Sequence, residues 1–222
     1  MGQWLQLTAA DGFQLSGYRV DPDAKPRGAV VVVQEIFGVN SHVRAVCEGI
    51  AADGYAAIAP ALFDRYQRNF EVGYTPEDIA VGRELKAKAD THAALSDVAA
   101  ARDAVSDAGH IGIVGYCWGG FISWMSAVRV EGLACAVSYY GGGVVEASKE
   151  RPKCPVMAHF GERDAAIPIE GARQFARDHP EVEVFFYDAE HGFNCDHRKS
   201  FNPAAAKLAR ERTLPFFRKH IG

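Results

Sequence analysis

A cysteine framed by glycines, Gly115-Tyr116-Cys117-Trp118-Gly119-Gly120, has the residue types of a nucleophile elbow, with a thiol where a hydroxyl usually stands. In such an elbow a strand turns abruptly into a helix. The central residue takes a strained backbone conformation, and the residues two before and two after it must be nearly free of side chain. Gly115 and Gly119 meet that requirement. Residues 110–114 read as a short buried strand entering the turn, and 121–128 as a buried helix leaving it. Cys117 then lies at a helix N-terminus, where unpaired N–H groups and the positive end of the dipole favour a thiolate and, later, an oxyanion. Taken alone, the hexapeptide also suits a glycine-rich turn around an inert buried cysteine.

A thiol nucleophile needs a base, and the base needs a carboxylate that fixes its tautomer. Residues 155–160 read as a strand followed by the turn Gly161-Glu162-Arg163-Asp164, so Asp164 lies just past a strand end. Residues 182–187 alternate like another strand, and His191 falls in the loop after it. In an open parallel sheet this carboxyl edge is where ligands bind. The chain order Cys117, Asp164, His191 is the nucleophile, acid, base order of the α/β-hydrolase fold. Singly, Asp164 reads as a turn residue and His191 as a surface histidine; three matches in order, each just past a strand, favour catalysis.

Residues 29–33 are nearly all β-branched, which suits a central strand covered on both faces. Gln34-Glu35-Ile36-Phe37-Gly38 follows. A carboxylate flanked by Val33, Ile36 and Phe37 is costly to bury without a bonding partner, and Cys117 is the partner expected. The alternative is that Glu35 faces solvent or caps the next helix. The backbone N–H groups of Ile36 and Trp118 are expected to form an oxyanion hole.

These four motifs, Gln34-Glu35-Ile36-Phe37-Gly38, the cysteine elbow, Gly161-Glu162-Arg163-Asp164 and Glu190-His191-Gly192-Phe193, resemble the dienelactone hydrolase family, and the resemblance covers nearly the whole chain. It implies a mostly parallel central sheet with helices on both faces and a Cys117, Asp164, His191 triad. It also implies that Glu35 is a further partner of the thiol, accepting its proton when substrate binds. The activity implied is cofactor-free hydrolysis of a small ester or lactone. The family's lactones carry a carboxylate that a guanidinium can grip bidentately. Family members place an arginine four residues after the histidine; here that position is Cys195, and Arg198 is the nearest candidate. Arg83 lies in the helix that bears the family's other anion-binding arginine. Arg83 and Arg198, with Phe37 and Tyr140, are the candidate substrate contacts, and Trp118, Phe63 and Tyr66 are further aromatics that could line a pocket. The departure at Cys195 bears on whether dienelactone is the substrate and leaves the triad untouched. The competing readings are a general carboxylesterase or thioesterase, and a ligand-binding or redox-responsive protein that keeps the fold and uses Cys117 only as an oxidisable thiol.

The elements that must position these residues are legible along all 222 positions, and residues 1–222 read as a single α/β-hydrolase domain. Residues 4–8 and 13–20 flank the turn signal Asp11-Gly12 and form an antiparallel edge. Residues 41–52 read as a helix and 55–59 as the next strand. A helix opens at Thr75-Pro76, with helical patterns continuing to about Ala108. Residues 133–140 are a strand, 168–178 a helix and 202–219 the closing helix. Cys47, Cys135 and Cys154 fall in apolar patterns and read as core residues. Five cysteines without a C-x-x-C spacing argue for free thiols. Residues 191–197 have metal-ligand residue types, but their spacing matches no zinc pattern, so no metal is expected. A formal charge of −4 gives no basic footprint for nucleic acid or anionic membrane, and no apolar run reaches about 18 residues. The start of the chain lacks a secretion signal, so the expectation is a cytoplasmic enzyme, monomeric or a small homo-oligomer, without cofactor.

Overall fold

The computed structural model describes residues 2–222. One eight-stranded sheet carries the fold: β1 (Gln3–Thr8), β2 (Gln14–Val20), β3 (Ala29–Val33), β4 (Ala56–Pro60), β5 (Ile111–Tyr116), β6 (Cys135–Tyr139), β7 (Val156–Gly161) and β8 (Glu183–Tyr187). Their spatial order is β1-β2-β4-β3-β5-β6-β7-β8. Strand β2 runs antiparallel to both β1 and β4, and every other pair is parallel. The sheet is thus mixed and mostly parallel, with the antiparallel edge where the Asp11-Gly12 turn puts it.

Strand β3, Ala-Val-Val-Val-Val, is buried along its whole length between β4 and β5. That is the position its unbroken β-branched run requires, because a strand covered on both faces gains from apolar side chains at every residue. Helices α3 (Thr91–Asp103) and α4 (Trp118–Arg129) pack together, and Phe175 of α5 (Ile169–Asp178) meets Trp124 of α4 edge-on. Helices α1 (Ser41–Ala52) and α6 (Pro203–His220) instead flank a common groove floored by Tyr116 and Tyr139.

Beyond shifts of one or two residues at element ends, the structure differs from the sequence reading at three places. The helical stretch expected from Pro76 to about Ala108 breaks into α2 (Pro76–Lys88), α3 and a 3-10 turn at Ser106–Ala108. The break falls where the Asp90 side chain accepts the N–H of Ala93 and so starts a new helix. Helix α4 begins at Trp118, ahead of the expected 121. Cys154, expected in the core, lies half-buried in the turn before β7, whereas Cys47 and Cys135 are buried.

The early start of α4 is explained by close backbone approach. A Cβ on Gly115 would lie 1.8 Å from the carbonyl oxygen of Gly119, and one on Gly119 would lie 2.4 Å from the carbonyl oxygens of Val33 and Gln34. The poor helix propensity of the two glycines is therefore outweighed by contacts only glycine allows, and these hold the end of β3 against the start of α4. Gly115→Ala is expected to destabilise the protein by about 3 kcal/mol, lowering Tm by roughly 6–12 °C. A thermal melt within about 2 °C of wild type would show that the elbow relaxes without cost.

Candidate active site

Cys117 has φ 55° and ψ −118°, a conformation that costs energy for any residue with a Cβ and turns β5 into α4 within one residue. Its N–H donates to the carbonyl of Tyr139 at 3.0 Å, and its carbonyl accepts the N–H of Gly120 at 2.9 Å, which holds the strained turn in place. The side chain projects at the carboxyl edge of the sheet, partly open to solvent.

The thiol sulfur lies 3.0 Å from Nε2 of His191, and Nδ1 of the same ring lies 2.7 Å from Oδ2 of Asp164. The other oxygen of Asp164 accepts the N–H groups of Ala166 at 2.8 Å and Ile167 at 3.2 Å. Both oxygens of this buried carboxylate are therefore committed, which fixes its plane. An ionised carboxylate only accepts, so Nδ1 carries the hydrogen and Nε2 faces the sulfur. Burial opposes charge on the imidazole, but the Cys117 sulfur and Asp164 together outweigh it and push the His191 pKa up to about 10. The imidazole therefore holds a proton whenever the sulfur beside it is anionic, and a sulfur anion formed during reaction is met by an imidazolium.

Glu35 stands directly after β3 and is 1 % exposed. The expected partner was the Cys117 thiol; instead Oε1 accepts from Nη1 of Arg198 at 3.2 Å, and the thiol turns to His191. A buried carboxylate gains more from a guanidinium than from a neutral thiol, which accounts for the exchange. Oε2 of Glu35 has no hydrogen-bond partner among the described residues. Arg198 lies 5.8 Å from the Phe37 ring centroid, so its charge sits between the carboxylate and an aromatic face.

The N–H groups of Ile36 and Trp118 have no backbone acceptor among the described residues. Trp118 is the first residue of α4, so its N–H belongs to the unpaired first turn. Its indole stacks on Phe63 at 4.9 Å with the planes 8° apart, which anchors that turn. Ile36 is held from the other side by α2, where a Cβ on Gly82 would come within 2.3 Å of the Ile36 carbonyl oxygen.

Phe37 and Tyr140, candidate substrate contacts, are both buried. Phe37 meets Tyr74 edge-on at 4.6 Å, and Tyr140 meets the His191 ring at 5.2 Å, so they back the site. Tyr66 is exposed, its hydroxyl accepting the N–H of Asp90 at 2.8 Å. A cleft of about 800 Å³ is lined among others by Tyr74, Ile79, Glu190 and Arg198; it reaches the loop that carries His191, but none of Cys117, Asp164 and His191 lines it. Arg83 is exposed on α2, one helical turn after Ile79, and does not line the cleft.

A second group containing the same residue types lies elsewhere: donor atoms of His42, Cys195 and Asp196 fall within 4.8 Å of one another, a spacing a metal ion could use. Here His42 Nδ1 is 3.1 Å from Oδ1 of Asp196. The N-terminal turn of α1, which contains His42, presents the positive end of its dipole, an arrangement that disfavours a cation. His42 was not singled out by the sequence reading, because a histidine in the first turn of an amphipathic helix carries no spacing signal.

The dienelactone hydrolase family model matches residues 15–221. A carboxymethylenebutenolidase of Pseudomonas sp. strain P51 is 32% identical over 231 residues, covering 97% of this chain and 94% of that protein. A protein of Synechocystis sp. provisionally named carboxymethylenebutenolidase is 34% identical over 229 residues, covering 94% of this chain and 93% of the relative. A crystal structure from Klebsiella pneumoniae subsp. pneumoniae, provisionally named a dienelactone hydrolase, superposes with a TM-score of 0.84 at 32% identity, over 98% of each chain.

Proposed function

The chain belongs to the dienelactone hydrolase family, and on that premise we propose that it hydrolyses a small ester or lactone with Cys117 as nucleophile, His191 as acid and base, and Asp164 as the group that orients it. The observation that carries this reading is the unbroken chain of contacts from sulfur to imidazole to carboxylate, at 3.0 and 2.7 Å. Sulfur attacks the carbonyl carbon, and the N–H groups of Ile36 and Trp118 receive the developing oxyanion. The C–O bond to the leaving group breaks, the departing oxygen takes the proton that His191 holds beside the anionic sulfur, and a thioester on Cys117 and a neutral imidazole are left. His191 then takes a proton from water, which attacks the thioester, and the thiolate departs.

Glu35 enters at the first step. Arg198 is shared between this carboxylate and the cleft, so a substrate carrying its own carboxylate competes for the guanidinium. Glu35, relieved of part of that pairing, is free to accept the thiol proton, the role the family resemblance implies. This reading favours anionic over neutral lactones of similar size. The five free cysteines fit a reducing, cytoplasmic setting, where the nucleophile stays a thiol.

The direct test is incubation with p-nitrophenyl acetate followed by intact and peptide mass spectrometry, with a single acetyl group expected on Cys117. Acetylation elsewhere, or turnover without any acyl-enzyme, would remove the covalent mechanism. Glu35→Gln is expected to slow acylation by about 10²-fold and to leave deacylation within a few-fold, because His191 still serves the second step. Stopped-flow single-turnover kinetics separates the two, and equal slowing of both would make Glu35 a structural carboxylate.

A further inference from the structure

We propose that Gln34 is a positioning residue of the oxyanion hole: its side-chain amide fixes the peptide plane that aims the Ile36 N–H at the reacting carbonyl. The inference rests on the reading of Cys117 as nucleophile with the Ile36 and Trp118 N–H groups as oxyanion donors, and it adds what holds those donors in place. An oxyanion donor works only if its direction is set before charge develops, because a hydrogen bond weakens steeply once its angle falls below about 120°. The sheet does not set the peptide that carries the Ile36 N–H. Strand β3 ends at Val33, where the last ladder pair joins it to Gly115. The Glu35 carbonyl, the other end of that peptide, receives no backbone donor among the described residues.

The Gln34 side chain supplies that donor. It is fully buried, and its Nε2 donates to the Glu35 carbonyl oxygen at 3.3 Å. A peptide group is planar and trans, so the Glu35 oxygen and the Ile36 N–H point in opposite directions and turn as one unit. Holding the oxygen therefore holds the N–H, and a donor on the oxygen also polarises the N–H at the far end. The orientation of the amide is set by its other partner. Oε1 accepts the N–H of Leu62 at 3.2 Å, which only the oxygen can do, and this leaves the NH₂ group for the Glu35 carbonyl.

The same amide reaches toward the second donor. Leu62 opens the 3-10 turn Leu62–Arg65, whose N-cap residue Ala61 makes no side-chain cap, so Gln34 satisfies that free N–H. The next residue, Phe63, is buried and stacks on the Trp118 indole at 4.9 Å. On the backbone side, a Cβ on Gly119 would come within 2.4 Å of the Gln34 carbonyl oxygen, so residue 34 packs directly against the first turn of α4. One buried side chain thus ties the loop that carries Ile36 to the turn that backs Trp118. Its amide bonds neither oxygen of the Glu35 carboxylate, one of which pairs with Arg198 while the other has no partner among the described residues. The influence of Gln34 therefore runs through the backbone peptide and not through the carboxylate.

An oxyanion forms in both chemical steps, first on the ester carbonyl and again on the thioester, so a loosened donor slows both. With the full-length protein and p-nitrophenyl acetate, Gln34→Met, which keeps the length and lacks both bonds, is expected to slow acylation and deacylation alike. Each should fall by about tenfold or more, in a variant shown by thermal melt to be folded. Gln34→Glu is the rescue. As a neutral acid it presents the same acceptor to Leu62 and an O–H to the Glu35 carbonyl, whereas as a carboxylate it only accepts. Burial and the adjacent Glu35 charge both favour the neutral acid. The ratio of its rates to wild type at the same pH should therefore climb toward one as the pH is lowered from about 9 to about 6. That titration carries the test if Gln34→Met does not fold. Slowing of acylation alone would show that Gln34 acts through Glu35. Wild-type rates in folded Gln34→Met, or slow Gln34→Glu rates at a pH-independent ratio, would make Gln34 a packing residue, and each of these results overturns the proposal. A wild-type enzyme that carries no acyl group on Cys117 would instead remove the covalent reading, and the inference with it.

Discussion

Asp164→Asn is expected to lower kcat by about 10⁴-fold while leaving the fold and the pocket intact, by analogy with the serine triad. The geometry gives the reason. Oδ1 of Asp164 accepts two backbone N–H groups, from Ala166 and Ile167, so the single carbonyl oxygen of an asparagine is held there. Its NH₂ group must then face Nδ1 of His191, 2.7 Å from the atom it replaces, where only an acceptor nitrogen can meet it. The imidazole adopts the opposite tautomer, its hydrogen points from Nε2 at the sulfur, and it can no longer accept a proton from thiol or water. Removing the negative charge also takes away one of the groups that raise the His191 pKa to about 10. The measurement is kcat for ester hydrolysis, with a thermal melt of the same variant to show that folding is retained. A loss under about tenfold would take Asp164 out of the triad.

Cys117→Ala is expected to abolish acyl-enzyme formation and to cost 10³-fold or more, on the order seen when a covalent nucleophile is deleted. The variant should fold. The strain at φ 55° belongs to any residue with a Cβ, so alanine keeps both the strain and the backbone bonds to Tyr139 and Gly120 that hold it. The N–H groups of Ile36 and Trp118 also remain, so a small residual rate from oxyanion stabilisation alone is consistent with the mechanism. The readout is the burst of p-nitrophenolate, which should vanish together with the mass increment. Undiminished turnover by folded Cys117→Ala would move the chemistry to another residue.

Both predictions rest on local features that the sequence alone displays. A glycine two residues to either side of Cys117, an apolar run before it and turn residues after each later strand are short-range patterns, and they report where the chain leaves the sheet. A parallel sheet brings those exits to one edge, so the order Cys117, Asp164, His191 was enough to expect the three side chains to converge across separations of 27 and 74 positions. The β-branched run of β3 likewise marked a central strand without reference to its neighbours.

What no local pattern encodes is which of several polar groups at that edge pair with one another. Glu35 was expected to bond the thiol, yet its partner is Arg198, 163 positions away, and the thiol is taken by His191. The family spacing pointed to position 195 for an arginine, where this chain has a buried cysteine. The loop after His191 brings Arg198 against Glu35 instead, three residues further on. His42 and Asp196 came together in the same way, joining the first turn of α1 to that loop without any spacing rule in common. Sequence by itself determined the fold class, the elements and the edge at which the reactive residues emerge, because backbone pattern and strand order are short-range properties. Only the tertiary structure decided the pairing around Glu35, because a buried charge takes the strongest partner that packing brings within reach, and that choice depends on how loops distant in the chain settle against each other.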